Sequence, residues 1–311
     1  MKKTSKITDL FSDRIWKLDT SACSPLYAEL VRVTKLVRIT YNTFMENRMG
    51  FQCVALAYFI TLAIIPLLAF AFAVTGGLGL DDKIREVLQL IFPTSPEIVT
   101  TLSEKAADIL QSAQGGGLGT VSAIFFIWTI LWMMFQVERV FNNVWGIRKI
   151  PRKIYRRLGF YILVLILAPF LIIIFGSGVA YATNLPNLYG IDLQEARFIF
   201  KLLGYAVFYA ILVFTLAAMY KYIPATRVEY GYAFRSALIA GFIFIIFQYL
   251  YLHTQMFVGG LNQAYGVLAA IPLFLIWLNI SWQIIIYGAQ LTYSFQNVDQ
   301  YHASAWDNES R

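Results

Sequence analysis

Residues 118–137 carry no formal charge, and the chain then runs through VERVFNNVWGI into a block with six Lys or Arg and no acid at 148–157. Nothing else in the sequence restricts the fold as much. About 20 apolar residues at about 1.5 Å each match the roughly 30 Å hydrocarbon core of a bilayer, so this stretch reads as a spanning helix. A dense basic loop resists translocation, which places this end of the helix in the cytoplasm. Alternation along the chain then orients the other spans.

Composition agrees. The 311 residues are 59% hydrophobic and 14% charged, against roughly 25% charged in soluble domains. The first fifty residues are polar and charged, with no early apolar run, so the first apolar segment is expected to insert as an uncleaved anchor. Cys23 and Cys53 fall in or beside this region and predict neither a disulfide framework nor a thiolate metal site. The net charge of +7 lies in loops, without a nucleic-acid-binding module or an aromatic stacking platform, so no nucleic-acid partner is expected.

Taken in order, the chain alternates apolar runs with polar connections. From Pro25, Leu26, Leu30, Val33, Val37, Tyr41 and Phe44 recur at three and four residues, predicting an amphipathic helix. Its basic character places it in the cytoplasmic interface, with packing against the bundle as the alternative. Residues 51–80 hold no charge and contain Pro66, predicting a kinked first span. The acidic segment 81–117 predicts two short amphipathic helices split at Pro93 and Pro96, lying outside, with the GGGLG run at 115–119 as a flexible entry to the second span. A third span is expected at about 158–182, followed by a short outer loop containing Asn184, Pro186, Asn187 and Gly190. A fourth follows at about 202–220, leading into the short connection KYIPATRVEYGYAFR. Residues 236–298 are uncharged and broken once, at GGLNQAYG (259–266), which predicts a fifth span at about 236–257 and a long sixth at about 266–295, bent by Pro272.

The fold class expected is an all-α integral membrane protein. It is a six-transmembrane-helix bundle with both termini cytoplasmic, a cytoplasmic interfacial helix, and a helical outer loop between the first two spans. The organisation reads as an N-terminal region (1–48), a membrane domain (49–296) and a tail (297–311). With this topology twenty bases fall on the cytoplasmic side and five outside, the asymmetry that orients multi-span proteins.

Four stretches make the chain resemble the YihY/BrkB family of bacterial inner-membrane proteins. They are ALAYFITLAIIPLL (55–68), VERVFNNVWGI (137–147), YKYIPATRV (220–228) and NQAYGVLAAIPLFLIW with YGAQL (262–291). The resemblance covers about residues 44–296 and implies the six-span inner-membrane topology. Family members carry links to virulence, an older ribonuclease label and a suggested transport role. The acidic residue, Asn and Trp that recur at the end of the family's second span are Glu138, Asn142 and Trp145 here. Where the family commonly has Gly-Ala-Glu near the end of the last span, this chain has Gly288, Ala289 and Gln290.

At 100° per residue, Glu138, Asn142 and Trp145 share one face of the second span. They could form the inner mouth of a cation pathway, or Glu138 could pair with a base of the next loop while Asn142 caps a neighbouring helix. Asn279, Gln283 and Gln290 fall within about 40° on the sixth span, with Pro272 on the same side, and Gln248 and Gln255 share a face of the fifth. These amides read either as a polar conduit or as interhelical hydrogen bonds. His253 and His302 have no Cys, His or carboxylate at metal-ligand spacing, and no cofactor is expected. Arg148, Lys149, Arg152, Lys153, Arg156 and Arg157 read as a topological anchor that also contacts anionic lipid headgroups. Membrane lipids are thus the expected partners, and the reading leaves room for a homo-oligomer.

No Walker loop, nucleophile elbow or metalloprotease helix is present in the sequence, and no enzymatic activity is expected. Two function classes follow: a transporter or channel for a small solute or lipid, and a non-transporting scaffold or envelope-assembly factor. A membrane-associated nuclease is a distant third. Reporter fusions test the topology on which both rest: fusions after residues 150 and 228 should read cytoplasmic and one after residue 100 external. A cytoplasmic signal at residue 100 would overturn the orientation.

Overall fold

The computed structural model describes residues 25–76, 81–92, 96–114, 117–147, 149, 152–188, 194–261 and 266–309. Among them the regular structure is entirely helical. The helices are α1 (Pro25–Glu46), α2 (Met49–Gly76), α3 (Asp81–Ile91), α4 (Pro96–Gln114), α5 (Gly117–Val144), α6 (Ile154–Leu188), α7 (Gln194–Tyr222), α8 (Tyr230–Leu261) and α9 (Gly266–Glu309). Six of them, α2 and α5–α9, are long and apolar enough to cross a membrane. Their outward faces carry large exposed apolar side chains such as Ile124, Trp128, Phe214 and Phe242. A bundle hydrophobic on its outside has lipid, not water, as its solvent.

α9 is the centre of the arrangement, packing against α8, α2, α1 and α5, while α6, α7 and α8 follow one another around one side. α5 packs on α2 but only lightly on α6. The close approach of α9 to its neighbours depends on Gly288. A Cβ placed there would lie 2.7 Å from the Ala240 Cβ on α8 and 2.7 Å from Cζ of Tyr220 on α7. Both neighbours are buried, so neither side chain can swing aside. Small residues at such crossings let backbones approach and gain dispersion contacts that lipid cannot replace.

Several boundaries differ from the sequence reading. α1 does pack on the bundle, through Val31, Leu36, Ile39 and Thr40, and the Thr40 hydroxyl donates to Leu36 O (2.7 Å) and meets Ser294 Oγ of α9 (2.9 Å). The counted stripe Leu26, Leu30, Val33, Val37 and Tyr41 is exposed, and only Phe44 of that series is buried. The helix is apolar around more than half its circumference, and the stripe found by spacing lies more than a third of a turn from the packing face. α3 and α4 split where Pro93 and Pro96 predict, with Pro96 opening α4, but they are more than a surface loop. Ile84, Leu88, Phe92, Val99 and Ala106 join the main core, and the Phe92 ring lies 5.0 Å from that of Phe274 on α9. α6 continues through Asn184, Pro186 and Asn187, where a loop was expected. Pro186 falls in its last turn, where a missing N–H removes a single backbone bond. α9 runs on past residue 296 to Glu309 without a break. Gly190, His302 as a side chain and residues 262–265 of the GGLNQAYG break lie outside the described residues.

Tight packing at Gly288 gives a stability prediction. Gly288→Ala should lower the thermal unfolding midpoint of detergent-purified protein, at a cost of about 1–3 kcal/mol for overpacking. Tyr220→Phe removes a buried hydroxyl that has no hydrogen-bond partner among the described residues, and should relieve part of that loss. Equal midpoints for the native chain and Gly288→Ala would mean that α9 does not need this approach.

Candidate functional site

The ends of α5 and α7 and the starts of α6 and α8 meet at the base-rich end of the bundle, around residues 223–229, where α9 passes alongside. α5 ends in a tight C-terminal turn. Gly146 adopts φ 67°, Ile147 N–H donates to Asn142 O and Gly146 N–H to Asn143 O, both at 3.0 Å. These paired bonds satisfy the last carbonyls of α5 and turn the chain sharply, and only glycine takes this conformation without a Cβ penalty. The turn aims the basic segment back across the bundle.

Two of its bases then act inside the protein. Arg152 donates to three carbonyls at the end of α7: Nη2 to Tyr222 O (3.1 Å) and Pro224 O (2.5 Å), and Nη1 to Ile223 O (3.2 Å). Helix C-termini leave carbonyls unpaired and partly negative, so a guanidinium there serves as both donor and counter-charge. Arg157, in the first turn of α6, donates from Nε to Glu138 Oε2 at 2.7 Å. The Tyr161 hydroxyl donates to the same oxygen, and Arg152 Nη1 stands 4.0 Å from Oε1. Glu138 is only 3% exposed, yet it has two close donors and two nearby guanidiniums. A carboxylate at this depth persists only when paired in this way. The Arg157 guanidinium also lies 4.8 Å from the Phe135 ring centroid.

Asn142 completes the junction. Its Nδ2 donates to Glu138 O at 2.8 Å and its Oδ1 accepts from Ala225 N–H at 2.7 Å. Gln296 of α9 holds the far end of the loop, donating to Arg227 O (3.0 Å) and accepting from Glu229 N–H (3.1 Å), while Lys221 Nζ donates to Val228 O. Trp145 turns away and meets the Tyr293 ring edge-on at 5.3 Å.

The amides of the long helices behave differently. Gln248 of α8 accepts from Trp277 Nε1 of α9 at 2.8 Å, an interhelical bond. Gln283 donates to Asn279 Oδ1 at 2.8 Å within α9, leaving Asn279 Nδ2 buried and without a partner among the described residues. Gln290 is fully buried, and neither its Oε1 nor its Nε2 has a hydrogen-bond partner among the described residues. Pro272 lies exposed inside α9, and having no N–H it leaves a carbonyl one turn earlier without its helical donor. The side chain of Gln255 and all of Arg148 lie outside the described residues. Lys149, Lys153 and Arg156 are exposed. His253 is exposed and stands edge-on to Tyr249 at 4.3 Å, and Cys53 is a buried free thiol. Among the described residues no three His, Cys, Asp or Glu group as metal ligands.

Sequence reasoning missed Tyr161, Gln296 and the capping role of Arg152. The α7 end was detectable, since Pro224 stops a helix whose last carbonyls then need donors. Tyr161 stands four residues after Arg157, one helical turn, which is a weak signal.

The fold and this junction define a polytopic helical membrane protein. The family model described as "Virulence factor BrkB" matches residues 40–311, and the chain belongs to that family. A UPF0761 membrane protein of Pseudomonas paraeruginosa is 27% identical over 267 residues, covering 83% of this chain and 62% of the relative. One from Legionella pneumophila is 25% identical over 84% of this chain and 62% of its own length. One from Mannheimia succiniciproducens is 25% identical over 85% of this chain and 90% of its own. The chain thus spans less than two thirds of the Pseudomonas and Legionella relatives. No solved structure matches. Six membrane-capable helices and membrane-protein relatives across bacteria place it as a multi-pass inner-membrane protein.

The ion pair makes a measurable prediction. Glu138→Ala leaves Arg157, 17% exposed at its side chain, without its carboxylate, and should cost about 3–5 kcal/mol in thermal or denaturant unfolding. Adding Arg157→Leu should recover part of that loss. Additive losses in the double variant would show the two side chains to be uncoupled.

Proposed function

We propose that this protein is a transporter or channel for a small solute or lipid, its pathway following the α9 amides and the Glu138–Arg157 junction closing the cytoplasmic end. The observation that carries this reading is Gln290, fully buried with neither amide atom bonded among the described residues, in line with the half-satisfied Asn279–Gln283 pair. An unpaired buried amide costs on the order of kcal/mol, and a helix in lipid has no reason to retain two unless they meet a polar species in use. The carbonyl freed at Pro272 extends the polar track towards the opposite end, as in broken-helix sites. In this reading both termini are cytoplasmic, α1 rests its exposed apolar stripe in the interface, and Lys149, Lys153 and Arg156 meet anionic headgroups. The proposal includes no enzymatic step and no cofactor.

A second reading, a non-transporting scaffold, is favoured by one observation. Glu138, Asn142, Arg152 and Gln296 all spend their polar atoms on joining helices and loop, as a fastening would.

Flux of a solute panel in liposomes reconstituted with the full chain separates the two. Gln290→Leu should abolish most of the flux while leaving the unfolding midpoint unchanged or raised, because it removes orphaned groups. A lower midpoint in Gln290→Leu, with no flux from the native chain for any solute, would favour the scaffold.

A further inference from the structure

A cleft of about 330 Å³ lies between α2 and α5, apart from the amide stripe and the junction. α5 lines it with Gln136, Arg139 and Asn143, and α2 with Gln52, Leu56 and Phe59. The three α5 residues recur at three and four positions, so they share a face. None of their side chains has a partner among the described residues. Gln52 is committed elsewhere, its Nε2 donating to Asn47 O at 2.8 Å. No acid lines the cleft, and neighbouring Glu138 is buried and occupied by Arg157 and Tyr161. Arg139 therefore brings an uncompensated positive charge, flanked by two amides with free donors.

Depth and lining identify the ligand class. The α5 span ends at Val144, so Arg139 sits about 7.5 Å back along the helix axis. That is close to the boundary between headgroups and acyl chains, where an arginine extends its guanidinium towards phosphate. Ala55 and Phe59 give the cleft an apolar wall on α2, with Phe59 about 15 Å from the start of that span and deeper than Arg139 and Asn143. Free phosphate would use only the polar part. A phospholipid uses both.

We propose that this cleft binds the phosphate of an anionic phospholipid in the leaflet at the basic end of the bundle. Arg139 pairs with the phosphate oxygens, Gln136 and Asn143 donate from their amides, and an acyl chain covers Ala55 and Phe59. The lipid is a resident ligand and not cargo, so the inference stands whether or not the protein transports.

Native mass spectrometry of the purified full-length chain, titrated separately with phosphatidylglycerol, phosphatidylcholine and inorganic phosphate, tests it. The native chain should bind phosphatidylglycerol in preference to the other two. Arg139→Gln should weaken that binding roughly tenfold, the scale of one charged hydrogen-bonded contact, and Arg139→Lys should weaken it less. Ala55→Trp fills the cleft without altering any charge and should also weaken it, which keeps the test decisive if Arg139→Gln does not fold. Lys105→Gln, at the other end of the bundle, should change nothing. Unchanged phosphatidylglycerol binding in Arg139→Gln or in Ala55→Trp would overturn the site. So would equally tight binding of inorganic phosphate, which would identify a free-anion site, or loss of binding only when Lys149 and Lys153 are replaced by Gln.

Discussion

A chain that leaves a helix near the edge of a bilayer must give its peptide groups hydrogen-bond partners, because lipid offers none. The connection from α7 to α8 meets that demand with side chains from elsewhere: Arg152 on the α7 carbonyls, Asn142 on Ala225, Gln296 on Arg227 and Glu229, and Lys221 on Val228. Each donor or acceptor comes from a different stretch of chain. The loop therefore fixes the relative positions of α5, the start of α6, α7 and α9 at one end. Buried Glu138 belongs to the same requirement, since its charge keeps Arg157 and Arg152 in place between α5 and α6, which otherwise pack only lightly.

The YKYIPATRV and VERVFNNVWGI stretches gain a common physical meaning from this geometry. They lie some eighty residues apart in sequence, yet Asn142 of one bonds Ala225 of the other at 2.7 Å. Gly146 allows the turn, the turn returns Arg152, and Arg152 caps the helix that ends ahead of Pro224. A change at any one of these positions leaves a polar group on another without its partner.

Much of the fold was legible in the sequence, for a simple reason. Charge-free runs of bilayer length are large signals that do not depend on side-chain detail. Where the reading went astray, a local pattern had two solutions. α1 is apolar on adjacent faces, so spacing alone selected Leu26–Leu30–Val33–Val37 while Val31, Leu36 and Ile39 made the contacts. The α3–α4 segment has the charge of a surface loop, but Ile84, Leu88 and Phe92 carry it into the core. At the site, spacing put Glu138 beside Asn142 correctly but could not show that Glu138 meets Arg157 and Tyr161, 19 and 23 positions on, or that Asn142 meets Ala225, 83 positions on. Spacing likewise grouped Gln290 with Asn279 and Gln283, but only burial showed that Gln290 is left unbonded.

The length of α9 has a mechanical consequence. Its 44 residues make a continuous rod of about 66 Å, well beyond the thickness of a hydrocarbon core. Phe274 meets the end of α3 near one extremity, and Ser294 and Gln296, about 30 Å further along, hold α1 and the α7–α8 connection. One helix therefore ties the α3 end to α1 and the α7–α8 connection, so none of these contacts is set independently of the others.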